Sequence, residues 1–228
     1  MSALNQPGCI DTNYGRTLQS VSLTACYLAV VLWATPLAAA DLNKPTQIQV
    51  EAGTVSFDAT TNISAVTVHG KSAALKAQVR LRQADEELVL EDVSAWLPVS
   101  TLSTGMGLRD EHMRKYIFTS GDGQVPDVRF RGANLTCRVA KGKENQCPVT
   151  GTLTIRGVER PFQTTLKVRR EGGATAAYRA AADAMVKLSD YGIERPSQFG
   201  VKAADEVKFH LEFVAKEATQ AAALEVPR

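Results

Sequence analysis

The sequence contains few of the residues on which enzymes and metalloproteins usually depend. It has three histidines and four cysteines, and none of them shows the spacing of a metal site. It also lacks a G-x-S-x-G nucleophile motif, an H-E-x-x-H zinc motif and a complete G-x-G-x-x-G phosphate-binding motif. These absences argue against the standard catalytic frameworks, so the sequence predicts a protein that is not an enzyme and holds no metal or cofactor.

An excess of one charge is also missing. The 26 basic and 24 acidic residues leave a formal net charge of +2. No cluster of lysine and arginine with interleaved aromatic residues is present, so a nucleic-acid partner is not expected. The remaining composition, 44% hydrophobic without repeats or low-complexity tracts, is that of a globular domain.

No apolar run is long enough for a comfortable membrane-spanning helix, which needs about 20 apolar residues. The strongly apolar stretch Ala25–Ala34 breaks at Thr35-Pro36 and passes into a small-residue pattern that ends at Ala40. This arrangement is typical of a signal peptide, so we expect cleavage of residues 1–40 and a periplasmic protein. An uncleaved N-terminal anchor remains the alternative, because Arg16 is the only basic residue before the run.

Cleavage at that point would leave two cysteines, Cys137 and Cys147, separated by a polar segment that contains glycine. In an oxidising compartment they are predicted to form a structural disulfide that staples a hairpin. Closing so short a loop stabilises the fold by roughly 3 kcal/mol in the chain-entropy model. A redox or metal-binding pair is the alternative, but neither a C-x-x-C spacing nor a nearby histidine supports it.

From Gln47 onward the sequence alternates between apolar and polar residues, as in Val207–Phe213. A period of two places alternate side chains on opposite faces of a half-buried strand. Many such segments, separated by turns such as Gly121-Asp122-Gly123, predict a mainly β protein with the architecture of a sandwich or a closed barrel.

Three segments depart from this alternation. Leu108–Ile117 has apolar or aromatic residues four apart and is predicted to form a short helix capped by Ser103 or Thr104. Ala174–Leu188 is rich in alanine, so its composition favours a helix while its position among strands favours a strand. Residues 217–228 are predicted to be a flexible C-terminal tail.

Several ordered motifs between residues 48 and 215 resemble the YceI-like family. The Val149–Pro161 segment is similar to its V-x-G-x-L-T-I-x-G-x-x-R-P strand and turn, and Leu188–Ile193 is similar to its R-S-D-F-G-I segment. The central signature is matched by Val99-Ser100-Thr101-Leu102, Leu108-Arg109-Asp110-Glu111-His112-Met113, Phe118 and Pro126-Asp127-Val128-Arg129-Phe130.

This resemblance implies that residues 41–216 form an extended, lipocalin-like antiparallel β-barrel with a short helix. It also implies a strand at Ala174–Leu188 and an interior that binds a polyisoprenoid, an isoprenoid quinone or a similar long apolar lipid in the periplasm. The chain departs from the family pattern where Gln47–Thr54 lacks an aromatic and histidine pattern, where Gly70-Lys71-Ser72 lacks an aromatic, and where Leu188 replaces a basic residue. These departures leave the identity of the lipid open.

The apolar faces of the predicted strands supply candidate ligand contacts, each of which is also a candidate for ordinary core packing. The candidate apolar wall consists of Phe57, Leu102, Phe118, Phe130, Leu153, Ile155, Phe162, Tyr191, Phe209 and Leu211. Arg109, Asp110 and His112 are candidates for contact with a polar head group, with structural roles as the alternative.

Two questions about partners stay open at this stage. The lipid-carrier interpretation predicts transient contact with a membrane, and a homodimer is compatible with the sequence. The competing interpretation is a non-catalytic stress-response or protein-interaction scaffold, whose barrel is filled by its own side chains. The small residues Ser72-Ala73-Ala74 are compatible with either, because small side chains also enlarge a cavity.

Overall fold

A computed structural model of the chain describes residues 45–217, apart from 64, 85, 141, 172–176 and 199. The predicted leader and the predicted tail beyond Glu217 therefore lie outside the described residues. The described part is mainly β, as predicted, with nine antiparallel strands. They are β1 Thr46–Thr61, β2 Thr67–Ala84, β3 Glu87–Leu97, β4 Val128–Arg138, β5 Glu144–Ile155, β6 Val158–Glu171, β7 Ala177–Lys187, β8 Ser197–Gln198 and β9 Val201–Glu217.

Eight of these strands close into a barrel. β1 to β7 are neighbours in chain order, and β9 lies between β7 and β1. The closing ladder places Phe57 of β1 opposite Phe209 of β9, while the short β8 pairs with the first residues of β9 at the rim. Closure gives the long strands partners on both sides and confirms the predicted antiparallel barrel.

The barrel is extended because its strands are long. β2 has 18 residues, which corresponds to about 60 Å along the strand at the usual rise per residue. Register shifts interrupt the β1–β2 ladder between Val50 and Val55 and the β2–β3 ladder between Arg80 and Leu81. Such irregularities bend long strands, which is how they follow the wall of a barrel.

The connection between β3 and β4 covers the end of the barrel at which β1, β3, β5 and β7 finish, which we call the helix end. It contains a 3-10 turn at Val99–Thr101, the helix α1 at Gly107–Met113 and a π-helical turn at Arg114–Phe118. Met113 is buried against Leu97 and Leu102. The predicted helix is thus confirmed.

The predicted helix cap is wrong. The residue that precedes α1 is Met106, and no side chain caps its first turn. Ser103 and Thr104 instead direct their hydroxyl groups to the side chain of Asp110. The cap was predicted from local sequence alone, but the conformation of this loop also depends on backbone hydrogen bonds between Ser103 and Lys71 of β2.

The opposite end of the barrel, which we call the disulfide end, is closed by a buried apolar cluster. Cys137 of β4 and Cys147 of β5 form the predicted disulfide within this cluster, and their side chains are almost fully buried. The clustered residues are Ile48, Val50, Ala77, Leu81, Leu88, Cys137, Val139, Cys147, Val168, Tyr178, Ala180 and Ala215.

The segment whose type the composition left ambiguous forms a strand, as the family resemblance implied. β7 spans Ala177–Lys187, and Asp183 of β7 lies opposite His210 of β9. The first three residues of the predicted segment, 174–176, lie outside the described part of the chain. Alternation between buried and exposed positions along β7 shows that tertiary pairing overrides the helix propensity of its alanines.

In two pairs of neighbouring strands, the ladder of backbone pairing covers only part of the strands' length. Between β4 and β5 the described ladder covers Arg129–Arg131, and the disulfide joins the two strands farther along. Between β6 and β7 the ladder covers Lys167–Glu171, at the disulfide end. Among the described residues, the remainder of β6 has no ladder partner on β7, and we call this unpaired part, toward the helix end, the open β6–β7 wall.

Candidate functional site

The inner surface of the barrel is apolar in its middle portion. Cross-strand registers place Val55 opposite Leu211, and both Phe57 and Ala184 opposite Phe209. Since alternate residues of a strand face opposite sides, these pairs share the inner face. The inward-facing residues of this portion are Val55, Phe57, Val79, Val93, Ala95, Phe130, Phe162, Leu166, Ala184, Phe209, Leu211 and Phe213.

These inward-facing residues differ in burial from those at the two ends. All twelve keep some accessible surface, although eight of them also pack against the clusters at the two ends, and the inward-facing Ala180 and Ala182 of β7 are buried. The barrel therefore has a continuous apolar inner face between two packed ends, and we call the space that this face encloses the lumen.

Four phenylalanines form an aromatic belt around this lumen: Phe57, Phe130, Phe162 and Phe209. The ring of Phe162 contacts Phe130 edge-on, with centroids 6.0 Å apart, and stacks on Phe209 at 5.9 Å. Phe57 and Phe209 are direct cross-strand partners. The belt thus connects β1, β9, β6 and β4, and provides a continuous apolar surface of the kind that binds lipid chains.

Glycines allow two of these rings to lie against the wall. The ring of Phe57 lies over its cross-strand partner Gly70, where a Cβ atom would collide with it. The ring of Phe130 likewise lies over Gly151, at which a Cβ atom would be 2.6 Å from the ring. Rings that occupy the space above a glycine project less into the lumen.

Alanines on β7 have the same effect and were not recognised from the sequence. Ala180, Ala182 and Ala184 are the inward-facing residues at the centre of this strand, opposite Phe213, Leu211 and Phe209 of β9. Each projects one carbon atom into the barrel. The available signal was an alternation of alanine with other residues, but three consecutive alanines at 180–182 obscured it.

The structure divides the ten predicted wall residues into two groups. Phe57, Phe130, Phe162, Phe209 and Leu211 face the lumen and are partly accessible. Leu102, Leu153, Ile155 and Tyr191 are buried in the clusters that pack the helix end, and Phe118, like Phe57, Phe130 and Phe162, is partly buried against them. Burial of Tyr191 also raises the pKa of its phenol. The role of each residue in binding stays a prediction.

The predicted head-group residue Asp110 is buried beneath the helix end. Its carboxylate accepts hydrogen bonds from the Ser103 hydroxyl at 2.8 Å, the Thr104 amide at 2.7 Å and the Thr104 hydroxyl at 2.6 Å. These bonds, led by that from the Thr104 hydroxyl, hold the pKa of Asp110 below its ordinary value. Both carboxylate oxygens are thus engaged in holding the loop to α1.

The other two predicted head-group residues also have partners outside the lumen. The guanidinium of Arg109 donates from Nε to the Thr104 hydroxyl at 2.9 Å. The imidazole of His112 contacts the ring of Tyr116 edge-on, with centroids 5.7 Å apart, and Tyr116 is largely exposed. A head-group role for these three residues stays a prediction.

Arg160 and the Ser189–Tyr191 turn hold the helix end together. Arg160 Nε donates to the carbonyl of Asp190 at 2.7 Å, and Asp205 of β9 accepts from the Ser189 hydroxyl at 2.6 Å. The Ser189 bonds also keep the pKa of Asp205 below its ordinary value. These contacts connect β6 to the chain after β7, at the end where their ladder is missing.

The outer wall carries polar features without a metal-binding arrangement. His210 Nδ1 lies 2.7 Å from Asp183 and its Nε2 lies 3.3 Å from Glu212, and these carboxylates raise the pKa of the imidazole. Two shallow depressions of about 400 and 490 Å³ are lined mainly by polar side chains. Within the part of the chain that the structure describes, no group of three or more metal-ligating side chains converges.

Comparison with solved structures identifies proteins of the same fold. The chain is similar to a polyisoprenoid-binding domain from Saccharophagus degradans implicated in plant cell wall breakdown, at 16% identity and a TM-score of 0.58, covering 77% of this chain and 100% of that one. It is also similar to BcnA of Burkholderia cenocepacia, at 20% identity and a TM-score of 0.52, covering 73% and 96%. A YceI protein of Campylobacter jejuni matches at 19% identity and a TM-score of 0.53, covering 67% and 86%.

Comparison with curated protein sequences gave no significant match. The family comparison, in contrast, is extensive and agrees with the motifs quoted above. The model of the YceI-like domain matches residues 46–215, which include all eight strands of the barrel except the last two residues of β9. On that evidence the chain belongs to the YceI-like domain family.

Proposed function

We propose that this protein binds a long apolar lipid inside its barrel and carries it without changing it chemically. The observation that carries the proposal is the apolar lumen, whose inward-facing side chains keep accessible surface between two packed ends. An elongated apolar space suits a chain-like ligand better than a compact one. The ligand class is a polyisoprenoid, an isoprenoid quinone or a similar amphiphile.

The similar structures support this ligand class. One of them is described as a polyisoprenoid-binding domain, and the chain covers its full length. The aromatic belt and the β7 alanines supply what such a ligand needs, which is apolar contact area and free cross-section. The departures from the family pattern in β1 and β2 leave the choice among these lipids to experiment.

The energetics favour reversible carriage. Burial of each methylene from water contributes about 0.8 kcal/mol, so a long lipid tail would nominally exceed the practical ceiling for non-covalent binding. The competing environment, however, is the membrane. Transfer from a bilayer to the lumen exchanges one apolar environment for another, so the net free energy is close to zero. A carrier requires this balance, because it must release the lipid as well as bind it.

The non-catalytic role that we propose is supported by the partners of the candidate polar groups. Asp110 has both oxygens engaged by Ser103 and Thr104, and Arg109 binds Thr104. Thr164 adds a hydroxyl near the lumen, but it donates to the carbonyl of Asp183 at 3.2 Å. General acid–base catalysis needs a titratable group within reach of the substrate, and these groups serve the fold.

The periplasm is the compartment we propose. The leader-like pattern that ends at Ala40 supports this proposal, as does the buried disulfide between Cys137 and Cys147, which is of a kind that persists in oxidising compartments. There the protein would take up its lipid from one membrane and return it to a membrane. Contact with a bilayer would therefore be transient.

Native mass spectrometry tests the proposal on protein purified from its own cells without detergent. We expect a bound species, and lipid extraction of the same sample should identify it by a mass series with isoprene-unit spacing. Protein that carries no lipid, and takes none up after incubation with vesicles of the same cells' lipids, would overturn the carrier and favour a scaffold with a self-filled barrel.

A further inference from the structure

The exposed large apolar side chains of the barrel are concentrated at one end. Within the described residues, all of them lie in connections at the helix end or in the last three residues of β7. None lies at the disulfide end. They are Ile63, Val66, Met106, Leu108, Tyr116, Val125 and Met185. Such a one-sided distribution on a barrel with an otherwise polar outer wall indicates an interaction surface.

The three most exposed of these residues belong to α1 and its flanks. Leu108 is 65% exposed, Tyr116 59% and Met106 58%. Leu108 and Tyr116 are eight residues apart, two helical steps of four, and His112 between them contacts the Tyr116 ring. The ammonium group of Lys115 lies 5.3 Å from the centre of the same ring. We call Met106, Leu108, Lys115 and Tyr116 the docking patch.

The chemistry of the docking patch fits a lipid bilayer. An aromatic ring with a polar tip and a neighbouring lysine is typical of side chains that sit at the boundary between lipid and water. Leucine and methionine on the same surface supply apolar area for insertion between lipids. The other exposed apolar residues lie at the same end of the barrel, in connections or in the last three residues of β7.

The charge around the docking patch is nearly balanced. The β3–β4 connection carries Arg109, Arg114 and Lys115 against four acidic residues, of which Asp110 is buried. A balanced surface has no strong attraction for an anionic membrane, so contact would depend on apolar insertion. Binding should therefore tolerate salt and should not require anionic lipid.

The interrupted pairing between β6 and β7 lies at the same end. The part of β6 toward the helix end has no ladder partner on β7 among the described residues. Side chain to backbone hydrogen bonds replace the ladder there, from Thr164 to Asp183 and from Arg160 to Asp190. Such isolated bonds separate more readily than a continuous ladder, so this part of the wall is a weak barrier between lumen and exterior.

From these observations we propose that the helix end is the membrane-docking surface of the protein. The docking patch inserts into the outer layer of a bilayer and holds the open β6–β7 wall against it, so that lipid passes between membrane and lumen without crossing water. This proposal rests on the proposed lipid-carrier function for its purpose, but the docking itself is tested separately.

The test is flotation of the full protein, as purified from its cells, with vesicles of pure phosphatidylcholine. We expect the protein to float with these vesicles, with less than a twofold change between 0.05 and 0.5 M salt, on the order expected for uncharged contacts. The double variant Leu108→Ser/Tyr116→Ser should lower the vesicle partition coefficient about tenfold or more, since two large apolar side chains lose their insertion.

A matched control distinguishes docking by the patch from non-specific hydrophobic binding to the vesicles. Glu87 and Glu144 are exposed at the disulfide end, so Glu87→Leu/Glu144→Leu adds apolar area far from the patch. In the background of the double variant, this change should not restore flotation. Restored flotation would show that any exposed apolar residue suffices and would overturn the proposal.

Other outcomes distinguish the docking proposal from the lipid-carrier function. Purified protein that contains lipid but does not float would overturn docking and leave the carrier in place. Salt-sensitive flotation, or flotation unchanged in the Leu108→Ser/Tyr116→Ser variant, would also overturn it. Conversion of a dimer to a monomer by the double variant, without any vesicle binding by the parent protein, would identify the patch as a contact between two copies.

Discussion

The rings of Phe162 and Phe209 stack with their centroids 5.9 Å apart, although their strands, β6 and β9, are not neighbours in the sheet. β7 lies between them, and its inward-facing residue opposite Phe209 is Ala184. Because alanine projects a single carbon, the two rings meet above it. The cross-section of the lumen is thus determined by large side chains on β6 and β9 and small ones on β7.

Gly151→Ala should destabilise the barrel without any change of charge. The added Cβ would collide with the carbonyl oxygen of Arg131 and lie 2.6 Å from the Phe130 ring. A backbone carbonyl cannot move aside as a flexible side chain can, so we expect a loss of about 1–3 kcal/mol in the free energy of unfolding. Urea unfolding monitored by circular dichroism measures it.

Gly107→Ala provides the control for this prediction. Gly107 begins α1, and an added Cβ would contact nothing within 4 Å. The same substitution should therefore leave stability unchanged or raise it by up to about 1 kcal/mol. Equal destabilisation by the two variants would contradict the close approach of β4 and β5 at Gly151.

Removal of the disulfide should weaken the fold. Cys137 and Cys147 close a loop with a sequence separation of 10, and the bond lies in the buried cluster of the disulfide end. We expect Cys137→Ala/Cys147→Ala to lower the free energy of unfolding by roughly 3 kcal/mol. Reductant should lower the unfolding midpoint of the parent protein and leave that of the variant unchanged. A reductant-insensitive parent would show that the bond does not contribute.

Asp110→Asn should loosen the helix end. The amide cannot accept all three hydrogen bonds that the carboxylate receives, so we expect a loss of about 1–3 kcal/mol. Glu111→Gln is the matched control, because Glu111 is its exposed neighbour on α1. Faster amide hydrogen exchange at 107–118 in the first variant, with no change in the second, would confirm the prediction, while identical behaviour would refute it.

The Asp110 carboxylate also makes the stability of the fold depend on pH in the acidic range. Its pKa is lowered in the folded protein from the ordinary 3.8, so its contribution is present above that value and is lost as the pH falls through the folded pKa. The difference in stability between the parent protein and Asp110→Asn should therefore shrink below about pH 4. A difference that stays constant down to pH 2 would contradict an ionised Asp110 in the folded state.

His210 should act in the opposite direction on the pH scale. Hydrogen bonds to Asp183 and Glu212 raise its pKa from 6.5, so its contribution is present below 6.5 and is lost as the pH rises through the higher folded value. The site is exposed and screened by solvent, so the effect should stay below about 1 kcal/mol. We expect the difference between the urea unfolding midpoints of the parent protein and His210→Gln to decrease as the pH rises from 6 to 8. A difference that is flat over this range would exclude the pairing.

The sequence was informative about which face of a strand each residue occupies. The alternation in Val207–Phe213 correctly predicted that its apolar residues face inward, because a period of two is a local property. The helix of the β3–β4 connection and the disulfide were also predictable, the first from local spacing and the second from the two cysteines that lie beyond the predicted leader. The closed topology came from the family resemblance.

Which inward-facing residues are buried could not be predicted from alternation. Phe130 and Leu153 are direct cross-strand partners, yet Leu153 is buried in the packed helix end and Phe130 is partly accessible to the lumen. Whether an inward-facing residue packs or borders the lumen depends on what lies across the barrel. The engagement of Asp110 by Ser103 and Thr104 was missed for a similar reason, since a long loop determines it.

Lipid content measured on two alanine variants tests the lumen most directly. Ala184→Leu adds a branched side chain beneath the Phe162–Phe209 stack, whereas Ala181→Leu makes the same change on the outward face of the same strand. In native mass spectra of protein purified without detergent, we expect Ala181→Leu to keep its bound lipid. Ala184→Leu should contain about tenfold less bound lipid, because a filled lumen loses apolar contact area with the ligand. Equal lipid content in two folded variants would contradict a ligand held inside the barrel.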